Sequence, residues 1–477
     1  MLMKNIVMIY CDELRCDALS CYGSPYGIKT ENIDELAAHS VMFDECYCAS
    51  PVCVPSRYST LTSLPPTQTG VYHNEAAMPT FKLDHDFITF PQVLKDAGYC
   101  TASFGKTHIP AVQTPVFDVN DEMGGEMNLG INIKEEASQI MKLPGQFQSV
   151  LAADYPADKR FWPEQVTDHG IEWMLKQRQP FFIRFSYLQP HTPIVVPEKY
   201  VQRLNDIEFD DSLTYYSTSE FEKRFGEICD IQRMCAQDVQ RMRKYYYAMV
   251  LWIDEQVGRI MQALKDHHLM DDTILVFTAD HGANRGENGA LAKQTFQPSS
   301  HRIPLLISNN NCKERRHDIC SNLDLGPTLL AMNGIAVPKS FMGINLFEKT
   351  QEEVYSMVGY GKRTSKAFPN KNQGAWSMNH GWPQRVCIRT TRFRLDMNSM
   401  MDGEFVSEAD EDICFIDRLK DPMEQVNRIN DPEYQPFIHE LVKKLRAYSR
   451  SQKLVDDAMV EMDMEKIKAY KKAGQTK

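Results

Sequence analysis

Residues 5–10 read NIVMIY, an apolar run with no polar alternation and charge on both sides. An unbroken run of this kind suits a strand covered on both faces, as in a parallel sheet, rather than a half-exposed antiparallel strand. Comparable runs recur at 41–43, 99–104, 181–188, 273–278 and 303–307. Between them the spacing turns helical at 30–39, where Thr30 or Asn32 can cap, and again at 90–97 and 164–176. A long helix is predicted through Tyr246, Val250, Ile253, Val257, Ile260 and Leu264, spaced by three and four residues. Strands alternating with helices predict an α/β chain: a large, mostly parallel sheet flanked by helices.

Composition narrows the class. A chain of 477 residues with 43% hydrophobic residues is neither disordered nor fibrous. Its net charge of −11 argues against nonspecific nucleic-acid binding. Thirteen cysteines without regular spacing do not read as a disulfide framework, and the Cys46/Cys48 pair lacks the second pair that a zinc site needs. The first residues lack a secretory pattern, and no run reaches the ~20 apolar residues of a membrane span. A reduced, cytoplasmic protein without membrane partners is expected.

Residues 111–162 are polar and weakly periodic, and are expected to cover a cleft rather than build core. A second loop-rich stretch spans 356–384. Beyond it, 385–396 and 413–417 read as strands and 436–449 as a helix. The expected organisation is a catalytic α/β domain over 1–355 and a smaller α+β domain over 356–477 with a charged helical tail. A homo-oligomer is left open, with that tail as the surface that would pack on a neighbour. His267-His268 reads as a solvated helix end, 407–412 as a surface turn, and 397–401 as packing methionines.

Ligands of open parallel sheets sit beyond the carboxyl ends of the strands. Asp12 and Glu13 follow the first run, Lys106 and His108 the third, His191 the fourth, and Asp280 and His281 the fifth. Acids, bases and cations delivered to one edge by four strands point to a hydrolytic metal site. In Cys53-Val-Pro-Ser-Arg57, Pro55 suits the first turn of a helix, which places Cys53 just before that helix. Backbone N–H groups favour negative charge there, so Cys53 beside Arg57 reads as a low-pKa nucleophile; a buried structural cysteine is the alternative.

CVPSRYSTLT resembles the CxPSRxxxLT signature of the formylglycine-dependent (type I) sulfatases, within the alkaline-phosphatase-like superfamily. Four more segments match in order: CDELRCDALSCYG, GKTH (105–108), QPHTP (189–193) and TADHG (278–282). KQTFQPSSHRIPLLI, YYAMVLWIDEQVGRI and CFIDRLKDPMEQVNRI are similar to later family segments.

The resemblance implies a sulfuric ester hydrolase acting on a small organic or saccharide sulfate. It implies formylglycine at Cys53, made by a formylglycine-generating maturase. It implies one divalent cation held by Asp12, Asp280, His281 and position 53, with Glu13 as a further candidate ligand. Ca²⁺ stands first, with Mn²⁺ or Mg²⁺ as alternatives. Arg57 would orient the nucleophile, and Lys106 and Lys293 would bind and neutralise the sulfate. His191 would protonate the leaving alcohol, and His108 would take the proton that expels sulfate. Glu13 and His281 depart from the commonest pattern, in which these positions carry Asp or Gln and Asn. Relatives that hydrolyse phosphodiesters or phosphonate monoesters also place His at 281, so that activity is the alternative. Asn284, Arg285 and Arg385 are candidates to meet a sugar or carboxylate.

Overall fold

The computed structural model describes residues 3–454 apart from 78–80, 82, 84, 111–112, 114–115, 126–128, 143–149, 212, 214–218, 230, 309–312, 360 and 362–382. The charged tail and most of the 356–384 stretch therefore lie outside the described residues.

All six apolar runs become strands of one sheet. β1 (Asn5–Asp12), β2 (Ser40–Tyr47), β3 (Cys100–Gly105), β4 (Val119–Asp121), β5 (Phe181–Pro190), β6 (Thr273–Ala279), β7 (Leu305–Ser308) and β8 (Glu314–Ser321) lie in the order β8-β2-β7-β6-β1-β5-β3-β4. Pairing is parallel throughout except at β7, which runs antiparallel to β2 and β6. β1 and β5 are buried along nearly their whole length, as unalternated runs require. Edge strand β8 (ERRHDICS) escapes sequence reading because its first half is charged and exposed.

Helices α1 (Glu31–Ala38), α2 (Cys53–Thr62), α3 (Phe90–Asp96), α4 (Glu164–Leu175) and α5 (Ala236–Asp266) follow, and α5 begins ten residues before the predicted apolar stripe. Thr30 occupies the N-cap of α1, but its hydroxyl bonds Ser20 instead of the helix.

A second, antiparallel sheet holds β9 (Glu353–Val358), β10 (Gln384–Thr390), β11 (Phe393–Met401) and β12 (Cys414–Asp417), with α6 (Gln435–Arg450) packed on it. Two expectations need correction. Residues 385–396 are not one strand but a hairpin, closed by the Thr390 hydroxyl accepting from the Phe393 N–H at 2.8 Å. No Gly, Pro or Asn marks that turn. Residues 111–162 do not merely cover: the strand Val150–Tyr155 packs its Val150, Leu151, Ala152 and Ala153 into the main core. The 407–412 turn is likewise only partly surface, since Glu411 is buried and bonds Arg446. Met397 and Met400 are buried as expected, and His267 ends α5 exposed.

The second sheet contains a buried charge cluster. Glu424 accepts from Arg389 at 2.6 and 2.9 Å, Arg394 at 2.9 Å and Arg418 at 3.2 Å. Burial raises the Glu424 carboxyl, but these three guanidinium groups hold it well below the usual carboxylate range. A depressed folded pKa gives stability that is complete above the unfolded value of roughly 4.3 and shrinks as pH falls below it. Replacing Glu424 with Gln strands two fully buried arginines and should cost about 3–5 kcal/mol at neutral pH. In urea titrations that gap to wild type should narrow between pH 5 and 3; a gap independent of pH would count against the cluster.

Candidate active site

The site lies at the carboxyl ends of β1, β3, β5 and β6, capped by α2. Cys53 is the first residue of α2, one position deeper than expected, and all ten α2 residues are buried. Val54 and Tyr58 pack into the core of the second sheet, while Leu61 packs into that of the first. The helix is held between both. The Asn74 side chain accepts from the Val54 N–H at 2.9 Å, capping α2 from a separate loop.

Arg57, fully buried, joins the site together. It donates to Asp280 at 2.8 Å, Asp12 at 3.1 Å, the Lys106 carbonyl at 3.0 Å and the Ser186 hydroxyl at 2.9 Å. β3 reaches Ser186 closely because Gly105 has no side chain: a Cβ there would lie 2.1 Å from the Ser186 carbonyl oxygen. The close approach lets the Lys106 N–H bond Ser186 and aims Lys106 into the cleft.

Asp12, Cys53, Asp280 and His281 each offer one ligand atom, all within 4.8 Å of one another, and all four are buried. His281 Nδ1 donates to the Gly282 carbonyl at 2.8 Å, so Nε2 faces Cys53 Sγ at 3.3 Å. Burial and the neighbouring Asp12 push the Asp280 carboxyl up. Burial opposes a charged His281, yet Asp280 and Cys53 raise its pKa to about 9. Asp12 and Asp280 converge with the His281 ring and the Cys53 sulfur as a buried donor set that fits a dication.

Cys53 has its own cations. Lys293 Nζ lies 3.0 Å and Lys106 Nζ 3.7 Å from its sulfur. Burial raises the thiol, but Lys106, Lys293 and His281 hold it well below its ordinary value. Lys106 also bonds Asp12. His108 faces Cys53 with its pKa lowered by burial and Lys106, and its Nδ1 has no hydrogen-bond partner among the described residues. His191 Nδ1 donates to the Thr192 carbonyl, leaving Nε2 3.4 Å from Glu13.

Glu13 lies outside the four-ligand group. Its carboxylate takes Lys293 at 2.9 Å and Arg285 at 3.0 Å. With Asp12 and His191 it forms a second trio within 4.8 Å. Asn284 is fully buried and bonds Thr295 and Ser299. Arg385 is corrected outright: it is buried in the second sheet and spent on Asp396, Asn398 and Asp412, so it meets no ligand.

Sequence reading missed His73. It is buried near Cys53, Lys293 and Gln294, and burial lowers its pKa to about 4. It sits in a loop without periodicity, where no residue pattern announces it.

Comparison with known proteins places this geometry. Residues 4–335 match the family model "Sulfatase", and residues 286–451 match "N-sulphoglucosamine sulphohydrolase, C-terminal". The iduronate 2-sulfatase of Mus musculus is 28% identical over 92% of this chain and 93% of its own length. A solved structure described as in complex with its substrate D-glucosamine-2-N,6-O-disulfate superposes with a TM-score of 0.72 at 21% identity, covering 94% of this chain and 98% of that one. A phosphonate monoester hydrolase of Agrobacterium radiobacter gives 0.72 at 22% identity, covering 94% and 96%.

Replacing Arg57 with Met should cost about 3–5 kcal/mol, because Asp12 and Asp280 lose their shared buried partner. Millimolar Ca²⁺ should raise the variant's Tm more than wild type's, since a bound dication stabilises by mass action and the variant's carboxylates need it more. An equal shift in both would show that the carboxylates do not take the ion.

Proposed function

The chain belongs to the sulfatase family and is a sulfuric ester hydrolase, and on that premise we propose that it cleaves a small organic or carbohydrate sulfate through a formylglycine made from Cys53. The observation that carries this reading is the setting of position 53: the first turn of a buried helix, with two lysines, His281 and Asp12 around its side chain. Such a site answers the demands of an anionic, poorly electrophilic ester, which needs charge neutralisation, a strong nucleophile and protonation of the leaving group.

As a hydrated aldehyde, position 53 would offer one hydroxyl as nucleophile and a second as the exit that releases sulfate. A formylglycine-generating maturase would be the partner that makes it. A divalent cation on Asp12, Asp280, His281 and position 53 would supply polarisation of the sulfate and a more acidic nucleophilic hydroxyl. The carboxylate oxygens suit Ca²⁺ first, or Mg²⁺, while the imidazole also makes Mn²⁺ an alternative.

The side chains divide the remaining work. Lys106 and Lys293 bind the sulfate oxygens as point charges that follow the transferring group. Arg57 holds Asp12 and Asp280 in place. His191, partly exposed with Nε2 free of the backbone, donates a proton to the departing oxygen. His108, kept neutral by burial and Lys106, accepts the proton whose removal expels sulfate. The near full-length match to an iduronate 2-sulfatase supports a saccharide as the leaving group.

His281 favours a second reading, a phosphonate monoester or phosphodiester hydrolase on the same scaffold. Matched aryl sulfate and aryl phosphonate esters compare the two directly, because a common leaving group isolates the transferred group. A higher kcat/KM on sulfate is expected. Cys53→Ala should lower kcat/KM at least about 10³-fold, chelation should abolish turnover, and added Ca²⁺ should restore it. An unmodified Cys53 thiol in active, natively produced protein, read by mass spectrometry, would refute the aldehyde.

A further inference from the structure

Glu13 sits in a closed ring of contacts that none of the catalytic roles above requires. Its backbone is left-handed, with φ of 63°, a conformation that disfavours a side chain unless its surroundings impose it. The Tyr246 hydroxyl donates to the Glu13 carbonyl at 2.7 Å and accepts from the Arg15 N–H at 2.9 Å. Arg15 pairs with Glu287 at 2.5 Å, and Glu287 accepts the Arg285 N–H at 2.6 Å. The Arg285 guanidinium stacks over the Tyr246 ring at 4.6 Å and closes the ring on Glu13 at 3.0 Å. Arg285 is 2% exposed. The second oxygen of Glu13 grips Lys293, whose ammonium stands 3.0 Å from Cys53.

We infer that Arg285 and Glu13 are positioning residues: Arg285 holds one oxygen of Glu13 so that the other aims Lys293 at position 53. The inference rests on the sulfate-hydrolase reading for the role of Lys293 but not for the contacts. By occupying Glu13, Arg285 also keeps it on the cation side of the cleft and leaves the dication to Asp12, Asp280, His281 and position 53. A lysine on four methylenes has several rotamers, and fixing one by a carboxylate held from behind supplies the orientation that a flexible cation lacks. The hairpin pairing Asn284–Arg285 with Leu291–Ala292 brings Arg285 and Lys293 to this edge together.

The experiment compares wild type with Arg285→Leu, Arg285→Lys and Glu13→Gln. It reads kcat and KM on 4-nitrophenyl sulfate, Ki for inorganic sulfate, bound metal per chain, formylglycine content and Tm. Arg285→Leu is expected to weaken inorganic sulfate at least tenfold and to raise KM with it, while metal and formylglycine stay at the wild-type level. Arg285→Lys should recover part of the sulfate affinity, because an ammonium can still hold Glu13. Glu13→Gln should behave like Arg285→Leu without losing metal. If sulfate affinity in Arg285→Leu stays within twofold of wild type, or if metal is lost in proportion to activity in Glu13→Gln, the inference is overturned. The Ki arm does not need turnover. A wild type that binds sulfate but cleaves no sulfate ester would refute the function and leave this test intact.

Discussion

A single buried guanidinium sets the geometry of the site. Arg57 has no exposed surface and satisfies four acceptors on four different strands: Asp12 at the end of β1, Asp280 after β6, the Lys106 carbonyl after β3 and the Ser186 hydroxyl within β5. Taking a charge this far from water is costly, and the cost is offset only when every donor is used with good geometry. The same requirement fixes the distance between the two carboxylates. A lysine at position 57 could reach one of them but not present a planar fork to both. The spacing of the four prospective ligands therefore follows from one side chain that touches no substrate.

That side chain is placed by a helix held between two cores. Val54 and Tyr58 belong to the second sheet's apolar cluster and Leu61 to the first, so α2 has no solvent face on which to shift. Polar ties add to this. Asn322, following β8, donates to the Ser56 carbonyl, the Ser56 hydroxyl and the Thr60 hydroxyl at 2.9–3.1 Å. His301 links the sheets as well. Its Nδ1 lies 3.0 Å from Arg389 Nε, which can only donate, so Nε2 carries the hydrogen and donates to the Cys48 carbonyl at 3.0 Å. Burial and Arg389 keep the ring neutral. The second sheet thus acts on the site through rigidity, by fixing the helix that bears position 53.

The sheet was legible because burial on both faces leaves unbroken apolar runs, as in NIVMIY and TILVFT, and these need no context to be read. The cleft residues were legible for a related reason: chain leaving a parallel strand must turn at its carboxyl end, so the polar residues after each run share an edge. What escaped depends on partners distant in sequence. The hairpin at Thr390–Phe393 turns on a threonine hydroxyl instead of glycine. Val150–Tyr155 is six residues long and flanked by polar sequence, so its burial is decided by β-pairing and by the core it meets. Arg385 and Arg285 are both arginines beside loops, yet one is spent on Asp396 and Asp412 and the other on Glu13. Their chemistry is set by which carboxylate the fold brings near, and single-sequence spacing carries no such information.

The charge pattern at the cleft also constrains how an anionic ester is accommodated. Three buried carboxylates, Asp12, Glu13 and Asp280, face four cations, Arg57, Arg285, Lys106 and Lys293. The two arginines are committed to carboxylates, whereas both lysines are shared between a carboxylate and the Cys53 sulfur. A shared lysine is already desolvated and already oriented. An arriving sulfate oxygen therefore meets it without the reorganisation that a solvated surface lysine would need, and in a water-poor setting where the attraction is strong. Burial lowers the ammonium pKa of Lys293, yet Cys53 and Glu13 together raise it and keep it charged. In the proposed reaction the carboxylates thus do more than offer metal ligands. They hold the lysines charged and in place before substrate binds, so that binding energy is available for the transferring group as its charge develops.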